Sequence, residues 1–357
     1  MAEKGPAARV ALVGIQGSGK TSLFCALTGM EYARALANAG KATSAAVRVL
    51  DPRLLEAHEK NGAQKKLVAP SLEYMDTAPI GLQDPAKQDN PGVFATFREC
   101  DGFVVVLKAY DLEGDRAKQV KDQLDAVRGE FLLADIDVMQ KRIEKLRAEV
   151  KKPQLPTFEE SKKELAVLER LIEAVMAGDA KAFAGLSADD EKKLRGFQFF
   201  SRKPLVPLVN IGEGDLAAPP KPSPDALPVS LKLEAELMGM EEGDRASFMK
   251  DYGLAALQLP GMSVTLYDRM GFQTFLTLGE KDTTAWALRK GSSTWDAAGK
   301  IHTDIQKGFI NCEVISFADF RAHKSAHDAA AHGKQRVEGK AHPLADYDII
   351  NIKTSAR

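Results

Sequence analysis

The chain is short of several things, and each absence narrows what it can be. Only three cysteines, Cys25, Cys100 and Cys312, occur in 357 residues. Their odd number and wide spacing give neither a metal-ligand pattern nor a disulfide framework, which suits a reducing cytosol. Charge of one sign is missing too: 49 basic residues against 50 acidic ones leave a net charge of −1. That excludes a surface coated for non-specific nucleic-acid binding, so any RNA contact must use a local patch, and no DNA sequence recognition is expected. No apolar run approaches the roughly 18 residues a membrane span needs. The opening MAEKGPAARV meets the first expected strand without the apolar stretch of a signal peptide. A cytoplasmic protein with no membrane partner is therefore expected. What is present is ordinary for a globular protein, 44% apolar and 28% charged. A chain this long outgrows one hydrophobic core, so two or three domains are expected.

The stretch ALVGIQGSGKTSLFCALTG, Ala11 to Gly29, holds Gly14, four spacers, Gly19, Lys20 and Thr21. This is the spelling of a P-loop, with an apolar strand (10–13) before it and a helix-like run (22–27) after it. The backbone N–H groups of Gln16, Gly17, Ser18, Gly19, Lys20 and Thr21 are expected to wrap a β-phosphate, with Ser22 following on the helix. The positive end of that helix adds to the attraction. Lys20 would reach the β- and γ-phosphates, and the Thr21 hydroxyl would ligate Mg²⁺. Lys20 is expected to face solvent, so that its replacement removes charge and not core. Cys25 reads as a small core residue of the helix.

A second strand, Leu72 to Met75, ends in Asp76, where a Walker B aspartate would contact Mg²⁺ through water; the plain alternative is a turn-capping Asp. Further strands are expected at Phe103 to Leu107, Leu205 to Val209 and near Leu227 to Leu231. Strands alternating with helices imply an α/β, doubly wound, mostly parallel sheet whose ligands sit at the carboxyl ends of the strands. Between the third and fourth strands, apolar residues recur in steps of three and four through Leu124 to Val150 and again through Leu165 to Val175. They predict two long helices forming an antiparallel coiled coil, with Thr157 and Glu160 as a capping box for the second. Its tip is basic, with eight basic and four acidic residues from Lys141 to Lys163; a solvated helix face and an RNA-contacting arm both fit. Five prolines between Ala217 and Pro228 mark a loop. From Gly271 on, a hairpin, a short amphipathic helix in STWDAAGKIHTDIQKGF and two more strands suggest a compact β-grasp plan. The expected divisions are a nucleotide-binding domain at 1–112 and 202–268, the helical insertion at 113–201, and the β-grasp unit at 269–357.

These phrases resemble the Obg-like ATPase family, the YchF type of translation-factor-class P-loop protein. The resemblance covers nearly the whole chain, through DPRL at Asp51 to Leu54, LADID at Leu133 to Asp137, LSADDEKKLRGFQFFSRKP, LKLEAEL, GFQTFLT and AAGKIHTDIQKGFI. The last of these is the most specific, and it implies a C-terminal ubiquitin-like TGS domain. The resemblance further implies binding of ATP or GTP, slow hydrolysis without a water-orienting glutamine, and association with ribosomes. On that analogy Lys300, His302 and Lys307 of the short helix are candidate RNA contacts, against the plain reading of an ordinary exposed helix. The chain also departs from the family. Gly17 and Ser18 stand where the family has Asn-Val. In DTAP, Pro79 replaces a glycine whose N–H would meet the γ-phosphate, and proline has no N–H. The glycine-rich switch becomes IGLQDPAKQDNPG, with Gln83 its nearest glutamine. The switch threonine is out of register, with Ala39 nearest its place and Thr43 displaced.

The base is addressed by Asn210, Ile211, Gly212 and Glu213, where guanine-specific relatives have Asn-Lys-x-Asp. Neither Ile211 nor Gly212 supplies the lysine, and an unpaired guanine donor edge costs about 1–3 kcal/mol per group. Asn210 otherwise reads as a strand-end turn residue. The main chain near Leu231 to Leu233 would close over the base, with Ser230 and Lys232 beside it. The resemblance favours ATP narrowly over GTP. Three readings follow: a slow ATPase or GTPase that signals to ribosomes or RNA, a module that holds nucleotide without cutting it, and a small-molecule kinase. A kinase needs an arginine-rich lid, and no such cluster is written in the chain.

Overall fold

The computed structural model describes residues 7–37, 42–81, 90–179, 182–183 and 186–355. In chain order the elements run β1 (Ala8–Val13), α1 (Lys20–Thr28), α2 (Tyr32–Ala37), β2 (Thr43–Arg48), α3 (Pro52–Gly62), β3 (Lys66–Val68), β4 (Ser71–Asp76), α4 (Asn90–Arg98) and β5 (Gly102–Lys108). The long helices α5 (Arg116–Glu149) and α6 (Phe158–Met176) follow, then α7 (Ala188–Leu194), β6 (Leu205–Asn210), β7 (Leu227–Val229), α8 (Leu231–Met238), α9 (Glu242–Asp251) and α10 (Leu259–Arg269). The chain continues through β8 (Phe272–Leu278), β9 (Asp282–Arg289), α11 (Thr294–Ile301), α12 (Thr303–Lys307), β10 (Phe309–Ile315), α13 (Phe317–Ala322), α14 (Ala326–Ala331), β11 (Arg336–Glu338) and β12 (Asp348–Thr354).

The first sheet has the order β2-β4-β1-β5-β6-β7. Its neighbours are parallel except β2, which runs antiparallel to β4 at the edge. Both faces of the central strands are covered, because successive side chains point to opposite sides. Val10 and Leu12 of β1 pack with Leu23 and Phe24 of α1, whereas Ala11 and Val13 pack with Phe97 of α4 and Val120 of α5. Two-sided burial is why these strands read as continuous apolar runs.

Helices α5 and α6 form a hairpin around Met139, Ile143 and Leu146 against Leu168, Leu171 and Val175. The capping box expected at its turn does not form. Thr157 precedes α6 with φ −90° and ψ 3°, and its side chain makes no capping hydrogen bond. An N-cap needs extended backbone to aim its oxygen at the first turn, and Thr157 lacks that conformation. The basic tip is partly paired: Arg142 bonds Glu164 at 2.7 Å and Lys141 bonds Asp137 at 2.7 Å.

The second sheet has the order β11-β10-β12-β8-β9-β3. Its sixth strand comes from far upstream, as β3 pairs parallel with β9 through Lys66, Leu67 and Val68. Helix α3 comes with it, burying Leu54 and Ala57 among Leu276, Phe320, Tyr347 and Ile349. The single amphipathic helix expected in STWDAAGKIHTDIQKGF is two helices. His302 is extended between them (φ −164°, ψ 144°), and its Nδ1 accepts the N–H of Asp304 at 3.1 Å. No helix among the described residues is long and apolar enough to cross a membrane.

Candidate nucleotide site

At the carboxyl end of β1 the chain turns so tightly that only glycine fits. A Cβ on Gly14 would lie 2.5 Å from the Val106 carbonyl oxygen. Gly19 has φ 103°, and a Cβ there would lie 2.5 Å from Asn210 Nδ2. Left-handed backbone and close approach both favour glycine. Gly19 caps α1 with no side-chain hydrogen bond, and the first turn carries no acidic residue. The free N–H groups of a helix start are an anion-binding feature. Gln16 and Gly17 are exposed on the rim, and Ser18 is fully buried.

Lys20 departs from expectation. Its residue is only 7% exposed, and Nζ donates to the carbonyls of Gly14 (3.0 Å) and Ile15 (3.2 Å). The lysine is drawn back under its own loop because those carbonyls turn inward. Burial lowers its pKa to about 8, against a smaller upward pull from Asp76.

Thr21 and Asp76 meet, as expected for a Mg²⁺ pair. Burial holds the Asp76 carboxyl above its ordinary range, offset by hydrogen bonding to Thr21 and by the charge of Lys20. Asp76 Oδ1 is buried without a hydrogen-bond partner. An orphaned carboxylate oxygen beside a hydroxyl fits a divalent cation, for such an ion takes oxygen ligands. No group of three His, Cys, Asp or Glu side chains among the described residues is arranged for a metal. A cation here would therefore draw its other ligands from phosphate and water. Thr43 stands directly opposite Asp76 in the β2–β4 ladder. Ala39 and Gln83 lie outside the described residues.

Beside the loop opens a cavity of about 840 Å³, bounded by Gly19, Ser22 and Cys25 on one side and by Tyr110, Asn210–Glu213 and Ser230–Lys232 on the others. Its volume falls within the range of small-molecule sites. Cys25 is thus half-buried on a cavity wall and not in the core, and burial pushes its thiol up. Asn210 is a cross-brace: Nδ2 donates to the Ser18 carbonyl at 3.0 Å, and Oδ1 accepts from Leu231 N–H at 3.4 Å. Ile211 is buried, with its N–H on the Val229 carbonyl at 3.0 Å. Glu213 stands at the rim, accepting from Tyr252 Oη at 3.2 Å with Lys232 Nζ at 3.6 Å. Ser230 is 2% exposed and its Oγ has no partner. Lys300, His302 and Lys307 belong to α11 and α12 and their junction, and do not line this cavity.

Sequence reasoning missed Tyr110, whose hydroxyl donates to the Gly17 carbonyl, and Asp111, which adopts a left-handed φ of 54°. Their place just past β5, at the carboxyl end of a parallel strand, is the signal that could have found them. It also missed that Ile80 N–H donates to the Gly14 carbonyl at 3.2 Å, pinning the segment after Asp76 to the loop.

A mostly parallel sheet wrapped on both faces, with this loop after its first strand, defines a P-loop NTPase-like α/β protein. Comparison with known proteins narrows the class. A family model described as YchF-GTPase_C, protein of unknown function (DUF933), matches residues 272–355. The curated "Ribosome-binding ATPase YchF" of Escherichia coli O157:H7 is 29% identical, with 96% of this chain and 97% of the relative covered. The protein of that name in Bacillus subtilis is 25% identical over 96% of this chain and 98% of its own length. The solved YchF GTPase of Schizosaccharomyces pombe superposes with a TM-score of 0.80 at 22% identity, covering 99% of each chain, and so shares the fold. The chain is thus similar to YchF proteins along nearly its whole length, and its C-terminal residues match that family's model.

Proposed function

We propose that the protein binds a purine nucleoside triphosphate with Mg²⁺ in this cavity, favours ATP narrowly over GTP, and hydrolyses it slowly in association with the ribosome. The observation that carries the reading is the meeting of the orphaned Asp76 oxygen with Lys20 and Thr21, which stand in the chain between Gly19 and Ser22, two residues that line a nucleotide-sized cavity. Gly14 to Thr21 cradle the phosphates, and Thr21 and Asp76 hold the cation, which would neutralise charge on the phosphates. Asn210 keeps the loop and α8 at fixed separation. Glu213, Ser230 and the main chain at Leu231 and Lys232 face the base.

Slow turnover follows from the segment after Asp76. Pro79 has no N–H, and that of Ile80 is already on Gly14. A γ-phosphate therefore lacks the donor this segment would otherwise offer. Each missing transition-state donor costs about a hundredfold in rate. Turnover at or below about 10⁻³ per second is expected, the order of unassisted P-loop GTPases. Binding without any cutting is the second reading, favoured by the same observation.

The helical hairpin is read as a coiled-coil arm and the second sheet as a TGS-type β-grasp unit, with divisions near 112, 202 and 269 and with residues 52–68 joined to the β-grasp unit. The relatives named for ribosome binding support a cytoplasmic ribosome or RNA partner. Calorimetric titration with ATP, GTP and their diphosphates tests the nucleotide reading. ATP and GTP affinities within about a hundredfold are expected, one or two hydrogen bonds apart. GTP binding far tighter overturns the ATP preference. Phosphate release, measured with and without ribosomes against Lys20→Ala, tests turnover; brisk release from the protein alone would refute slow hydrolysis.

A further inference from the structure

At the foot of the long helix α5, one guanidinium joins both walls of the cavity. Arg116, the first residue of α5, grips Asp215 with both arms: Nη1 to Oδ1 at 2.6 Å and Nη2 to Oδ2 at 2.5 Å. Nη2 also donates to the Ala109 carbonyl at 2.7 Å. Asp215 is largely buried, and the guanidinium holds its carboxyl below the usual range. Its Oδ2 in turn accepts the Gly212 N–H at 3.2 Å, so the carboxylate shapes the short loop that carries Glu213. On the other side, Ala109 precedes Tyr110, and both donate N–H groups to the Asn210 carbonyl, at 2.9 and 3.3 Å. Tyr110 continues to Gly17 of the phosphate loop.

We infer that Arg116 is a positioning residue for the base end of the nucleotide cavity, tying the helical arm to the loop that presents Glu213. The inference rests on the nucleotide reading above. Arg116 lies outside the cavity lining and touches no phosphate-loop residue in the contacts just described, so it acts through Ala109 and Asp215. A planar guanidinium suits this task because it bonds a carboxylate bidentately and still has a donor for a carbonyl. Lysine has one point charge and cannot span the same three acceptors at fixed angles.

This predicts a split between the two ends of the ligand. Removing Arg116 should loosen the base loop and leave the phosphate cradle alone. Calorimetry with Mg²⁺ and either ATP or inorganic tripolyphosphate would read that split in the full chain, Arg116→Ala, Arg116→Lys, Asp215→Ala and the double alanine variant. Arg116→Ala and Asp215→Ala are each expected to weaken ATP about tenfold, one hydrogen bond's worth. Tripolyphosphate binding should stay at the parent value. The double variant should lose less than the sum of the two singles, because the two residues share one bidentate contact. Arg116→Lys should fall between parent and alanine. Unchanged ATP affinity in Arg116→Ala, or equal losses on ATP and tripolyphosphate, would overturn the inference, the second by showing a merely structural role. A parent chain that fails to bind ATP would overturn the nucleotide reading itself and the inference with it.

Discussion

Lys20 carries a charge under its own loop, and two consequences follow at that residue. In the native chain it gives up its proton near pH 8, against 10.5 for an ordinary lysine. At neutral pH the buried charge therefore opposes folding, by about 1.4 kcal/mol for each tenfold loss of proton affinity. Lys20→Ala removes that cost along with the proposed phosphate contact. It should lose ATP binding yet melt no lower than the parent at pH 7, as calorimetric scans would show. An intact fold is still predicted, but for a reason opposite to the solvent-facing side chain the sequence suggested. Between pH 8 and 10.5 the unfolded chain holds the extra proton, so the parent gains stability relative to Lys20→Ala as pH rises. Nucleotide binding runs the other way. An anionic ligand favours the charged lysine, so ATP affinity should fall about tenfold from pH 7 to pH 9. A flat profile over that range would exclude Lys20 as the titrating phosphate contact.

At the scale of elements, a few buried polar groups fix how helices meet. Asp135, on α5, is fully buried and accepts N–H bonds from Phe200 (3.0 Å) and Ser201 (2.9 Å), tying the helix to the segment that enters β6. An asparagine there keeps the shape but offers one oxygen in place of two. Asp135→Asn should therefore cost about 1–3 kcal/mol in urea unfolding, the penalty of an unpaired buried donor. His302 works similarly at the break between α11 and α12. The bond from Asp304 needs an unprotonated Nδ1, which gives His302 a capping role apart from any RNA contact. Exposed Lys300 and Lys307 flank that break. If they bind ribosomes, Lys300→Glu with Lys307→Glu should abolish co-sedimentation, and parent binding should weaken with salt. Equal co-sedimentation of the two proteins would remove these helices from the interface.

Across the whole molecule, the chain between residues 52 and 68 belongs by packing to the second sheet. Besides the β3–β9 pairing, Arg53 bonds Asp346 at 2.9 Å and lies 4.0 Å over the Tyr347 ring. Arg321 grips Glu56 at 2.7 Å, and Asn61 donates to the Asp282 carbonyl at 3.1 Å. A fragment ending at residue 268 would leave Leu54, Ala57 and an unpaired strand without cover. Limited proteolysis of that fragment should cut first within 52–68, while the full chain resists there. Resistance in both would show that α3 holds to the first sheet alone.

The sequence by itself determined what depends on neighbours along the chain. The P-loop was legible because one strand–turn–helix unit supplies its glycines, Lys20 and Thr21. Asp76 was legible because a parallel strand delivers its last residue to the same edge. The helical hairpin was legible because its apolar spacing repeats for many turns. Tertiary structure alone decided the rest. β3 is three residues long, too short for a periodic signal, and only the open edge of β9 makes it a strand. Whether Lys20 faces solvent depends on which way the Gly14 and Ile15 carbonyls turn, and no residue letter records that. Arg116 and Asp215 are separated by 99 positions. Nothing local distinguishes either from an ordinary surface charge until the sheet brings the start of α5 beside the loop after β6.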